Sequence, residues 1–454
     1  MKKLRLIGFL TVLGAASLYL GGCDGPTKPD DSGKTGPGDW DPVWACPGGV
    51  SAGGLDLKND NLGLESDYVI INFNNGSATV TFSETGVPGE PTIDGEHVSL
   101  KVHSYYTLNS IPYNIIVTGT AKNGSLRIEE YSKKGGYRKT LYLNGVNIAN
   151  PTGPAINIQS SKRTDVHLVG SCERHNILKG KGREDVGDGE DKVQAKGAFF
   201  AEGSLVFGGS GSLEVSSAER HAIVSDEFIE VNSGNIIVKE SKNDGMHANE
   251  RIVIKGGTLQ IKCEGDAVQN ERSDSISVSG GKVTLWTTGV KSHGITSDSG
   301  DVNVSGNAEI KITVVGDGSK GIRSSLKTVR IRGGNTNIET YGNIAKSTSD
   351  PTDTTSSAAG VKGDGFEMSD GKLNIKSVGD NSKGVNVEHD AKITGGDIHI
   401  VSAGDGIKTG GNLNISGGTV YAESTKKKGV DCKGTATGTG GPNVTIKNGG
   451  GTGY

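Results

Sequence analysis

The sequence predicts an all-β chain wound as a right-handed, three-sheet parallel β-helix (a solenoid), and three observations predict it. Glycine is abundant, 73 of 454 residues, while aromatics make up 5% and hydrophobics 33%. Such a chain suits many short strands between turns better than one large compact core. A unit recurs along the second half at a spacing near two dozen residues. Each unit holds three short pieces with the alternation of strands and none with a helical period.

The three pieces are plainest between residues 252 and 270. Ile252-Val253-Ile254 alternates and ends in Lys255-Gly256-Gly257, then Thr258-Leu259-Gln260-Ile261 alternates again. The third piece, Asp266-Ala267-Val268, sets a polar residue, a small one and an aliphatic one in order. It returns with aliphatics at Ile223, Met246, Val268, Ile295, Ile322, Val361, Val385, Ile407 and Val430, spaced by 23, 22, 27, 27, 39, 24, 22 and 23 residues. The long interval contains the Ser/Thr-rich stretch 347–357, read as a surface loop. A period of this length means a solenoid, propeller or array, and a propeller blade needs four strands and about 40 residues. Three strands in two dozen residues make one coil. Coils stacked at about 4.8 Å turn the aliphatics into an inward column. The small residue before each aliphatic is expected to permit a turn that a Cβ would strain. Upstream, weaker alternation at 68–73, 78–82, 98–102, 115–117, 140–143, 155–158 and 166–169 reads as earlier, longer-looped coils of the same helix.

The N-terminus reads as an address. In residues 1–22, Lys2, Lys3 and Arg5 precede an apolar run from Leu6 to Leu20 that is too short for an ordinary span. Leu20-Gly21-Gly22-Cys23 resembles a bacterial lipobox, which makes Cys23 the lipidation site; an ordinary signal peptide cut near Gly22 is the alternative. Residues 23–67 form a Pro/Gly/Asp-rich tether and N-terminal segment, residues 68–448 the β-helix, and residues 449–454 a Gly-rich tail. The expectation is an exported protein, lipid-anchored to a membrane or cell surface, whose acyl chains are its only membrane contact. Of the remaining cysteines, Cys46 and Cys172 are the pair to test for a disulfide. Cys263 and Cys432 sit inside repeat units and read as small, half-buried filler.

Several segments carry a family resemblance: Thr118-Gly119-Thr120 before Leu126-Arg127-Ile128, Leu143-Asn144-Gly145-Val146-Asn147-Ile148, Gly153-Pro154-Ala155-Ile156, Gly209-Ser210-Gly211-Ser212-Leu213, and the Asp-Gly-aliphatic coils. They resemble the bacterial secreted carbohydrate-binding β-helix family, whose fold is shared with pectate lyases, over residues 68 to 448. The resemblance implies binding of plant cell-wall or other acidic polysaccharide, with calcium and without a need for catalysis. The chain departs from that pattern at His221, His293, Lys320, Lys383 and Lys428, which stand where Asp is usual.

Two outward columns hold the candidate site. Two residues before each aliphatic stand His221, Asp244, Asp266, His293, Lys320, Ala359, Lys383, Asp405 and Lys428. Asp244 and Asp266, on neighbouring coils about 4.8 Å apart, would repel unless something positive intervenes. Calcium, with its oxygen ligands, is the natural candidate. A second series, Asp226, Asn249, Glu271 and Asp298, adds ligands, so Asp244, Asp266 and Glu271 are the candidate metal residues. Flanking histidines or a solvated edge would relieve the same repulsion without an ion. The residue after each aliphatic gives Val224, His247, Gln269, Thr296, Arg323, Lys362, Asn386, Lys408 and Asp431. Arg323, Lys362 and Lys408, with Lys320 and Lys383 alongside, form a basic strip on a chain of net charge −4. Such a strip matches the repeating carboxylates of a uronic-acid chain, with arginine supplying a bidentate contact. A charged face that keeps a sheet from aggregating reads the same way.

Other chemistries find little support. No basic domain with interleaved aromatics points to nucleic acid, and Trp286 stands alone, so no flat aromatic platform is visible. Gly49-Val50-Ser51-Ala52-Gly53 lacks a strand-to-helix elbow, and Gly316-Asp317-Gly318-Ser319-Lys320-Gly321 lacks a following βαβ unit. The reading is therefore a non-catalytic, surface-anchored polysaccharide binder. A calcium-dependent polysaccharide lyase comes second, with Lys320, Arg323 or Lys383 as base, and an adhesin or structural surface protein third.

Overall fold

The computed structural model describes residues 68–83, 89–102, 113–130, 138–170, 175–186, 193–345 and 356–449. The signal peptide, Cys23, the tether, Cys46, Cys172 and residues 450–454 of the tail lie outside the described residues. What the alternating pieces build is a parallel β-solenoid of about 12 turns, with no helix among the described residues.

The aliphatics of the third piece stack as one column. From Ile223 to Val430 each faces the next in parallel register. The column continues upstream through Phe199, Ile156, Leu126 and Val98. All of these are buried except part-buried Val430. Each full burial contributes roughly 1.5–3 kcal/mol, so the column is a main source of cohesion between coils. The first pieces stack likewise, Ile229–Val231 on Ile252–Ile254 on Ile276–Val278 on Val302–Val304. So do the second pieces, Asn235–Ser241 on Thr258–Cys263 on Lys282–Thr287 on Glu309–Val314.

Three details differ from the sequence reading. Beyond residue 328 the first and second pieces join into single strands, Thr328–Thr340, Gly365–Ser377, Ala391–Ser402 and Leu413–Ser424. The three faces persist, but hydrogen bonds link two of them into a 22-stranded sheet beside a 14-stranded one. Glycines at the corner, with φ of 85° at Gly396 and 83° at Gly418, let the strand bend, and the ladder shifts register there before it resumes.

The small residue before each aliphatic serves packing instead of backbone freedom. A Cβ on Gly245 would sit 2.2 Å from Ile261 Cγ2, and one on Gly321 would sit 2.3 Å from Ile338 Cγ2. Neither glycine has a positive φ. The position points into the core, and fully buried Ala222 and Ala267 fill it in other coils.

The third difference concerns edges and insertions. Tyr68–Asn74 pairs antiparallel with Ala78–Phe82, and Glu90–Asp94 pairs antiparallel with His97–Val102. Ser356–Ser357, read as loop, instead pairs antiparallel with Ile344–Ala345. Residues 346–355 lie outside the described residues. Cys263 is buried and Cys432 part-buried, both as free thiols, which agrees with their reading as filler.

Candidate functional site

The outward column read from sequence forms in register, from Val224 through His247, Gln269, Thr296, Arg323, Lys362, Asn386 and Lys408 to Asp431. Beside it runs the column two residues earlier, because the small residue between them turns inward. There each side chain accepts the backbone N–H one coil on. The Asp244 amide donates to His221 Nδ1 at 3.3 Å, and the Asp266 amide to Asp244 Oδ1 at 2.9 Å. The His293 amide donates to Asp266 Oδ1 at 2.5 Å, and the Lys320 amide to His293 Nδ1 at 3.0 Å. Aspartate and histidine are alike here in being acceptors. A lysine ammonium is not, so the ladder stops at Lys320, and the Ala359 amide donates to Ser319 O instead.

Asp244 has histidines on both sides. Its Oδ2 lies 3.0 Å from His221 Nδ1 and 3.0 Å from His247 Nδ1, and all three residues are buried. The two imidazole rings are 4.5 Å apart between centroids. Behind them, His247 Nε2 faces Glu271 Oε1 at 3.4 Å, and Gln269 Oε1 lies 3.2 Å from His247 Nδ1. Burial alone would raise the Asp244 carboxyl, but the two histidines beside it outweigh burial and hold the group below its ordinary range. Burial likewise opposes His247, yet its bonds to Asp244 and Glu271 lift it to about 9. His221 is pushed down by burial despite Asp244. Asp266 is pushed up by burial and by the neighbouring charge of Asp244. The repulsion foreseen between Asp244 and Asp266 is thus met in part by imidazole. The His221, Asp244 and His247 donor atoms lie within 4.8 Å of one another and could hold a metal ion.

This cluster floors an open cleft of about 530 Å³. Asp266 and Glu271 line it, so Asp244, Asp266 and Glu271 are brought together as the sequence grouped them. Lys196, Arg220 and Lys291 line it as well.

The basic strip divides in two. Arg323 Nη1 is 3.3 Å from Asp298 Oδ1, Lys362 pairs with Glu388, and Lys408 is 2.5 Å from Asp431 Oδ2 and 3.6 Å from Asp405 Oδ2. Lys320 and Lys383 turn beneath the added strand instead. Lys320 donates to Gly318 O at 2.5 Å and to Ser356 Oγ, and Lys383 to Ser357 Oγ at 2.5 Å. Burial, reinforced by Arg323, Lys362 and Lys383, lowers Lys320 to about 7; burial lowers Lys383 too.

Sequence reading set flanking histidines against the Asp244–Asp266 repulsion but left His247 in its own column, without joining it to Asp244. The signal was available, since Asp244 and His247 are three apart on one coil. Lys196, Arg220 and Lys291 fall outside both columns, and no period marks them.

A sequence profile described as carbohydrate-binding domain-containing protein matches residues 110–406. No curated protein matches the chain. Among solved structures, the chain is similar to a polysaccharide lyase-like protein from C. thermocellum, determined as a gadolinium derivative. The identity is 18%, covering 68% of this chain and 97% of that one, with a TM-score of 0.43.

Proposed function

We propose that this chain, which belongs to the carbohydrate-binding domain-containing protein family, binds an acidic polysaccharide along the outer face of its third strand stack. One observation carries the reading: the cleft above Asp244 continues without a break of register into the column holding Arg323, Lys362 and Lys408. Coil spacing of about 4.8 Å repeats binding groups along the axis, as a polymer repeats its carboxylates. The partners of the strip's cations do not forbid this. Exposed ion pairs are worth about 0–1 kcal/mol, so a uronate carboxylate can replace Asp298, Glu388 or Asp431 at small cost. Calcium belongs to this reading at the open side of the cleft, where Asp266 and Glu271 offer oxygens that a uronate would supplement. Acylated Cys23 would hold the protein, and its glycan, at the surface that exports it.

One observation favours the lyase as second reading. Lys320, brought down to about 7, has a neutral amine available as a base beside the Arg323 guanidinium. Its amine faces Ser356, so the added strand must move before a sugar reaches it.

The test mixes the purified chain with polygalacturonate, with calcium and then with a chelator, following pull-down and the ultraviolet absorbance of unsaturated product together. Binding without absorbance is the expected result. Arg323→Gln, Lys362→Gln and Lys408→Gln combined should weaken it about tenfold or more, near 1.4 kcal/mol. Unchanged affinity in that variant sinks the strip. Rising absorbance makes the protein a lyase, and neither signal points to an adhesin.

A further inference from the structure

We propose that His221, Asp244 and His247 form a binding site for a first-row transition-metal dication of the zinc class, which calcium does not fill. Two imidazole nitrogens each approach a single carboxylate oxygen, Asp244 Oδ2, at 3.0 Å. Ligands around a tetrahedral zinc ion stand roughly 3.3 Å apart, given metal–ligand distances of about 2.0–2.2 Å. Two edges of the triangle are thus near that spacing, and all three donors lie within 4.8 Å of one another, so the ion would draw the two imidazoles together around Asp244 Oδ2.

The hydrogen bonding around His221 points the same way. Its Nδ1 meets the Asp244 amide at 3.3 Å and Asp244 Oδ2 at 3.0 Å. As a donor to the carboxylate it abandons the amide; as an acceptor it sets its lone pair against a carboxylate oxygen. One ring nitrogen cannot donate and accept at once. A cation between Nδ1 and Oδ2 makes the lone pair favourable against the carboxylate, and the longer contact to the amide is the one given up.

The surroundings are those of a supported metal site. Asp244 Oδ1 is occupied by the Asp266 amide, which fixes the carboxylate and leaves Oδ2 for the ion. Glu271 stands behind His247 at Nε2, the carboxylate–histidine arrangement that orients a metal-bound imidazole and raises its basicity. The Asn243 amide lies 3.4 Å from His221 Nε2 on the far side of the other ring, and turned end for end it presents its oxygen to the Nε2–H of a metal-bound imidazole. Gln269 Oε1, 3.2 Å from His247 Nδ1, is near enough to add an oxygen, and the cleft leaves the remaining position open. Calcium takes about six to eight oxygens at 2.3–2.6 Å, and two of the three buried donors here are nitrogens. Imidazole with carboxylate suits zinc, cobalt, nickel, copper or iron.

This inference stands apart from the carbohydrate reading, because metal alone is the probe. Untagged full-length chain, stripped with a chelator, is dialysed separately against zinc, cobalt(II) and calcium, and bound metal is counted. The expected result is about one zinc or cobalt per chain, with visible absorption from cobalt. Roughly a hundredfold excess of calcium should not displace either. His221→Ala and His247→Ala should lose the ion while keeping the β-sheet circular dichroism. Asp244→Asn guards against collapse of the site, because it keeps the shape, and it too should lose the ion. Glu271→Gln should weaken binding about tenfold to a hundredfold, as loss of an outer partner does. His389→Ala, on an exposed histidine paired with Asp364, should bind like the wild type. No zinc on the folded wild-type chain, undiminished zinc in the histidine variants, or displacement by calcium overturns the proposal.

Discussion

Two stretches of one outer face, His221–Asp298 and Lys320–Asp431, share a backbone register and an inward column but handle charge differently. In the first, Asp244 and the two histidines are buried and meet one another, with Glu271 and Gln269 behind His247. In the second, Lys362 and Lys408 stand part-exposed, each with a carboxylate from its own or the next coil. The same solenoid geometry therefore supports a tightly specified polar cluster and a replaceable ladder of ion pairs. What separates them is burial, since a lost partner inside the protein leaves an unpaired charge while one outside leaves a hydrated charge.

The sharpest way to break this comparison is to remove one partner on each side. With chelator present, Asp244→Ala should cost about 3–5 kcal/mol in urea unfolding, because both buried histidines lose their carboxylate. Equal stability of this variant and the wild type would mean the cluster is as replaceable as the strip. At the boundary between the stretches, Lys320 tests burial by pH. Its folded value of about 7 lies below the ordinary 10.5, so the unfolded chain binds the extra proton between those values. Stability from this group must then rise as pH goes from about 7 towards 10.5. Lys320→Met should flatten that rise when denaturation midpoints are compared across the window; an unaltered slope would place the amine in water. The smallest effect belongs to Lys362→Gln, expected at about 0–1 kcal/mol by the same unfolding measurement. A loss of several would show that the ladder is structural and not available to a ligand.

These residues also show what was legible in the sequence. The inward column could be read because alternation and the small residue before each aliphatic repeat with the coil, as at Gly245-Met246 and Gly321-Ile322. The outward column followed from the same phase. The cluster did not, because His221 meets Asp244 across coils from one column while His247 meets it from the other. That meeting depends on Gly245 turning inward between them, a packing matter set by Ile261. The cover over Lys320 was hidden for another reason. Ser356 lies 36 residues away, on a strand that belongs to an insertion and obeys no period.

The central claim is that the outer face of the third stack, the cleft above Asp244 included, takes an acidic polysaccharide. The most direct measurement is calorimetric titration of polygalacturonate into the wild-type chain and into Lys196→Gln, Arg220→Gln and Lys291→Gln combined, at low and high salt. The account predicts saturable, salt-weakened binding by the wild type and a loss of about tenfold or more in the variant. Equal affinity in the two folded proteins would contradict it and move the ligand off this face.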